Sequence, residues 1–194
     1  MKNFIPLIIL ALLVILISVA VNNLSNKQSD NATSSAKNLN DNSEESDDDM
    51  GEDFKKVEID LPDFEVSDLF EEGKVITKKD LIGKYSLVNF FASWCYACLK
   101  EHDMLLRIQQ EGIADLYGMA WRDIDNRTID FLKRHGNPYI RVGADNKGIF
   151  KGELELDGVP ETWLINPEGK VVLKFEGNLQ EYWIEDIRRY IKSH

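Results

Sequence analysis

Residues 85–98 read Tyr85-Ser86-Leu87-Val88-Asn89-Phe90-Phe91-Ala92-Ser93-Trp94-Cys95-Tyr96-Ala97-Cys98. Tyr85–Phe91 is a nearly continuous apolar run of strand length, the pattern of a strand buried on both faces. A helix-permissive segment follows, from about Tyr96 to Glu111, and stops at Gly112. Both cysteines of the chain therefore fall where a buried strand gives way to a helix. At such a point, unsatisfied backbone N–H groups and the positive end of the helix dipole favour a thiolate over a thiol. Cys95 is the candidate nucleophile. Two intervening residues in a first helical turn bring the second sulfur within disulfide reach, so Cys98 can attack a mixed disulfide formed at Cys95 and release the reduced partner. Two half-buried structural thiols are the plainer alternative. Half of a zinc site is another, but Asp, Glu or His would have to complete it, and no second metal-spaced cluster appears in the sequence.

Outward from this stretch, strand-like and helix-like segments alternate. Ala114–Trp121 reads as a second strand. Asp125 and Asn126 offer caps for a helix through Ile129, Phe131 and Leu132, closed by Gly136 and stopped by Pro138. Tyr139–Val142 suits a short strand. Glu161–Asn166 and Lys170–Phe175 are joined by Asn166-Pro167-Glu168-Gly169, whose Pro and Gly positions fit a tight turn, so the pair is expected to be an antiparallel hairpin. The last segment has Asn178 and Glu181 at capping-box spacing and sets Trp183, Ile184, Ile187 and Ile191 on one helical face. The order β-α-β-α-β-β-α predicts an α/β fold, a mixed central sheet flanked by helices.

The whole chain has 194 residues, 34 Asp plus Glu against 23 Lys plus Arg, and a formal charge of −11. A duplex-tracking nucleic-acid binder needs basic residues to replace phosphate counterions, so no nucleic-acid partner is expected. Two cysteines also exclude a disulfide-stapled small scaffold and a four-thiolate metal or cluster site. Between Asn22 and Asp53 nine acids face two bases, whereas Phe54–His194 holds 25 acids and 20 bases. The excess charge belongs mostly to 22–53, rich in Asn, Ser, Asp and Glu and nearly free of aliphatic residues, which is expected to be a disordered acidic linker. From Phe4 to Val21 only Pro6 and Ser18 interrupt an aliphatic run behind Lys2. As a helix rising ~1.5 Å per residue it would span roughly 27 Å, close to the ~30 Å hydrocarbon core. Residues 1–21 thus read as an N-terminal transmembrane anchor, with a cleaved signal peptide ending near Ser18-Val19-Ala20 as the alternative. Either reading exports the domain expected over 54–194.

Sixty residues beyond Cys98 begins Gly158-Val159-Pro160-Glu161-Thr162-Trp163, immediately before a strand. Here the sequence resembles the thioredoxin superfamily, and more closely the DsbE/CcmG group of thiol:disulfide interchange proteins of cytochrome c biogenesis. The matching pieces are Asn89–Cys95 with Cys98, Glu101-His102, Gly136-Asn137-Pro138-Tyr139, Gly158–Thr162 and the earlier Leu61-Pro62-Asp63-Phe64. The resemblance implies a thioredoxin-like fold, Cys95 as attacking and Cys98 as resolving thiol of a redox-active disulfide, and Pro160 as a cis-proline beside them. Trp94, Tyr96 and Val159 are expected to meet the substrate, Tyr96 by offering an aromatic surface and the backbone near Val159 by pairing to an extended segment. Thioredoxin keeps a buried carboxylate where this chain has Asn89, which cannot accept a proton, so Glu161 is the candidate catalytic acid or base. The implied partners are apocytochrome c, with its C-x-x-C-H segment, cytochrome c assembly factors and a transmembrane thiol electron donor. No cofactor is implied, since thiolate exchange is the chemistry. The implied place is the cytoplasmic membrane with the catalytic domain on its periplasmic side. A general exported disulfide oxidant or isomerase, or a copper-delivery module using Cys95, Cys98 and His102, are the alternatives. His102 otherwise reads as a surface helix histidine. The chain departs from the group in having Tyr96-Ala97 between the cysteines, where most relatives carry a proline.

Overall fold

The computed structural model describes residues 55–152 and 155–194. The expected anchor at 1–21 and acidic linker at 22–53 lie outside them, and among the described residues no helix is long and apolar enough to cross a membrane. The chain forms β1 (Lys55–Asp60), β2 (Glu65–Asp68), β3 (Val75–Thr77), the one-turn α1 (Lys78–Leu81) and β4 (Ser86–Phe91). It continues with α2 (Tyr96–Glu111), β5 (Asp115–Trp121), α3 (Asp125–His135) and β6 (Arg141–Asp145). A single 3-10 turn at Ile149–Lys151 precedes β7 (Glu161–Ile165), β8 (Lys170–Glu176) and α4 (Glu181–Ser193).

The eight strands make one sheet in the order β1-β8-β7-β4-β5-β6-β2-β3. β4, β5 and β6 are parallel, as their helical crossovers require, and the remaining pairings are antiparallel. β7 and β8 form the expected hairpin. β4 is buried at every position because it lies between β7 and β5 and is covered on both faces. Side-chain alternation along the strands divides the core in two. Leu87, Phe91, Leu116 and Leu164 face α2, α3 and α4 through Leu105, Ile108, Phe131, Leu132, Ile184 and Ile187. Val88, Phe90, Met119 and Trp163 face the other way, against Leu61, Leu81, Phe150 and Leu156.

Three strands lie ahead of the expected set. β1 to β3 are short and mostly exposed, and β1 is a charged sheet edge, Lys55-Lys56-Val57-Glu58-Ile59-Asp60, so periodicity marks them poorly. The start of α3 also departs from expectation. Its cap residue is Ile124, with no side-chain cap, and the carboxylate of Asp123 braces this start by accepting the Ile124 N–H at 2.8 Å and the Thr128 hydroxyl at 2.8 Å. The β6 strand begins at Arg141, two residues late, and α4 starts at Glu181 behind Gln180 with no side-chain cap, so Asn178 is not its cap.

Candidate active site

The sequence places the cysteines at the carboxyl end of a strand buried on both sides, and the fold makes that end a helix start. Cys95 is the N-cap of α2, with extended backbone, and the Cys98 N–H points at its sulfur from 3.0 Å. That amide is one of the four donors an α-helix leaves unpaired at its first turn, so the site where a Cys95 thiolate forms already contains a donor. In this structure the two are joined as a disulfide, with Cα atoms 5.3 Å apart. Both are nearly buried, while Trp94 is 56 % exposed and Tyr96 71 %. Large aromatic side chains therefore stand in solvent on either side of a recessed sulfur. Lys100 lies over the Tyr96 ring, 5.2 Å from its centroid.

The Val159–Pro160 peptide is cis, and the Val159 carbonyl oxygen lies 3.6 Å from Cys95 Sγ. The structure thus brings Cys95, Cys98, Val159 and Pro160 together. Glu161 belongs to the same turn, but alternation sets its side chain on the sheet face of Trp163, opposite the face that α2 covers. There it is buried, 3.1 Å from Lys174 Nζ, and accepts the Trp163 indole N–H. Burial pushes the Glu161 carboxyl up, against the Trp163 and Lys174 hydrogen bonds that pull it down.

A second carboxyl, given no role by sequence reasoning, lies on the cysteine face. Glu101 is one turn beyond Cys98 on α2 and almost fully buried. It accepts the Asn89 amide N–H at 2.9 Å and the Leu179 backbone N–H at 2.8 Å. Burial outweighs these donors and pushes its pKa to about 7. A carboxylate accepts only, so the Asn89 amide must present its nitrogen to Glu101 and its oxygen to Tyr139, whose hydroxyl donates at 2.7 Å. The second Asn89 N–H reaches the Thr162 hydroxyl at 2.9 Å. Asn89, though unable to take a proton itself, thereby links β4, α2, β7 and the segment before β6. The signal in the sequence was the helical spacing of Cys98 and Glu101; the burial that makes the spacing matter was not visible there.

His102 corrects an expectation. It is buried rather than on the helix surface, with Nε2 2.9 Å from the Gly136 carbonyl and its ring against Phe131 and His135. Packing α3 onto α2 places it there, and burial holds its pKa down. Among the described residues no group of three or more His, Cys, Asp or Glu is arranged to hold a metal ion.

Residues 56–190 match the Redoxin family. The thiol:disulfide interchange protein DsbE of Allochromatium vinosum is 36% identical over 142 residues, 71% of this chain and 77% of that protein. The thiol:disulfide interchange protein HelX of Rhodobacter capsulatus is 38% identical over 99 residues, 51% of this chain and 56% of its own length. Among solved structures, a secreted thiol-disulfide isomerase from Corynebacterium glutamicum superposes with a TM-score of 0.64 at 21% identity, covering 77% of this chain and 96% of that one. A DsbF homologue from Corynebacterium diphtheriae gives 0.62 at 19% identity, covering 74% and 94%. At such identities the superpositions establish the thioredoxin-like fold, and the sequence matches establish the kinship. The chain belongs to the Redoxin family, shares the thiol:disulfide interchange ancestry of DsbE, and is a thiol:disulfide oxidoreductase.

Proposed function

We propose that this protein reduces the disulfide of the C-x-x-C-H segment of apocytochrome c, held by residues 1–21 at the outer face of the cytoplasmic membrane, with 22–53 as its acidic tether. The observation that carries the reading is the Cys95 sulfur at the α2 N-cap, receiving the Cys98 N–H and lying beside the Val159 carbonyl. In the reduced enzyme, the Cys95 thiolate attacks one sulfur of the target disulfide, forms a mixed disulfide and expels the other target sulfur as a thiolate. Cys98, as thiolate, then attacks Cys95 Sγ and releases the second target sulfur. Two electrons pass to the target, its two thiolates take up two protons, and the Cys95–Cys98 disulfide remains. A transmembrane thiol carrier returns the electrons.

Trp94, Tyr96 and the backbone at Val159 are the surface offered to the target, and Pro160 shapes that edge. Glu101 is the group placed to hold the Cys98 proton: it shares the α2 face, and its pKa of about 7 lets it give or take a proton near neutral pH. Glu161, on the opposite sheet face, acts through the turn that carries Val159 and Pro160. Trapping with Cys98→Ala tests the whole reading. The mixed disulfide on Cys95 should persist in cells, and mass spectrometry should find a c-type cytochrome precursor or assembly factor on it. Recovery of many unrelated exported proteins instead, or a potential near the roughly −120 mV of strong oxidants, would assign the protein to general oxidation or isomerisation.

A further inference from the structure

The loop between β4 and α2 is held from outside by a buried carboxylate that the exchange chemistry leaves unassigned. Asp123 is almost fully enclosed and accepts hydrogen bonds from four donors. Its Oδ2 takes the Ser93 backbone N–H at 2.5 Å and the Thr128 hydroxyl at 2.8 Å. Its Oδ1 takes the Ser93 hydroxyl at 2.9 Å and the Ile124 N–H at 2.8 Å. Ser93 is two residues before Cys95, so one side chain joins the start of α3 to the backbone that delivers the attacking sulfur. The chain reaches Asp123 through Arg122, whose φ of 48° is a conformation that L residues disfavour and that is held where surrounding structure requires it. Each end of the bridge is followed by an exposed apolar side chain, Trp94 after Ser93 and Ile124, 56 % exposed, after Asp123.

We propose that Asp123 is a positioning residue for thiol exchange: by clamping Ser93 to the start of α3 it keeps Cys95 at the α2 N-cap, where the Cys98 N–H and the helix N-terminus stabilise its thiolate. The proposal rests on the reading of Cys95 as the attacking thiol. It has a sign that separates it from simple electrostatics. A negative charge near Cys95 disfavours the thiolate, so deleting that charge alone would lower the Cys95 pKa. Releasing the clamp does the reverse, because a sulfur that leaves the N-cap loses its donor and the helix field.

The test uses the full-length protein, reduced, with iodoacetamide alkylation followed across pH and each cysteine assigned by mass spectrometry, at temperatures well below melting. In the wild type Cys95 should alkylate before Cys98 with a depressed pKa; if Cys98 reacts first, the attacking-thiol reading itself fails. In Asp123→Ala the Cys95 pKa should rise and its alkylation at neutral pH slow by about fivefold, the scale of losing one cap. Asp123→Asn has one accepting oxygen in place of two, and should give a smaller rise in the same direction. It also decides the matter if the alanine variant does not fold. A Cys95 pKa that stays put or falls in the folded variants, with Cys95 still the first to react, would overturn the role of Asp123 alone.

Discussion

A carboxyl buried in the cysteine-bearing face has a consequence that can be measured without any substrate. Glu101 ionises near 7 in the folded chain against 4.5 for an ordinary Glu. Between those values the folded protein holds a proton that the unfolded chain has released, so stability falls as pH rises through the window. The loss from this group has an upper scale of about 3 kcal/mol. Glu101→Gln replaces the carboxyl with an amide of the same shape and removes the titration. Urea unfolding of wild type and variant at a series of pH values should show the wild type losing ground to the variant from about pH 5 to about pH 8. Parallel curves would mean that the carboxyl is not displaced. The same variant should slow release of the mixed disulfide, since Cys98 loses its proton acceptor. Sequence reasoning assigned the acid–base role to Glu161. In the fold, Glu161 is engaged by Lys174 and Trp163 on the other face.

At the scale of elements, the junction of β4 with α2 was legible because two signals coincide there: an apolar run ends and helical spacing begins. The neighbouring strand β5 carries a subtler requirement at Gly118. A Cβ at that position would lie 2.7 Å from Tyr139 Cδ2 and 2.9 Å from Phe91 Cε1, inside the stack these rings form at 5.0 Å. Gly118→Ala should therefore cost about 1–3 kcal/mol of stability by overpacking, read as a lower urea midpoint. Because Tyr139 anchors Asn89, the variant should also alter the pH dependence of stability described for Glu101; an unchanged midpoint would show that the ring moves aside freely. Strands β1 to β3 escaped the sequence reading for the converse reason. They are short, lie toward the sheet's edges and are half solvated, so they gain their order from pairing with β8 and β6 rather than from any pattern of their own.

For the whole molecule, the two cores either side of one sheet are built from residues between Leu61 and Ile187. The domain expected over 54–194 should consequently fold and exchange disulfides without what precedes it. A chain beginning at Phe54 should match the full-length protein in melting temperature and in its rate with a small soluble disulfide. A large loss in either would show that preceding residues contribute to the domain.

The sequence by itself determined the redox chemistry, because two cysteines at a strand-to-helix junction acquire their reactivity from local backbone geometry, which three or four neighbouring residues specify. It determined the alternation of strands and helices as well, through hydrophobic period and turn residues. Tertiary structure alone decided which titratable groups share the cysteines' environment. Glu101, Asn89 and Tyr139 meet only when α2, β4 and the segment before β6 pack, and Asp123 reaches Ser93 only because β4 and β5 lie side by side. Burial and proximity across long sequence separations set these proton affinities, and neither has a signature in the order of residues along the chain.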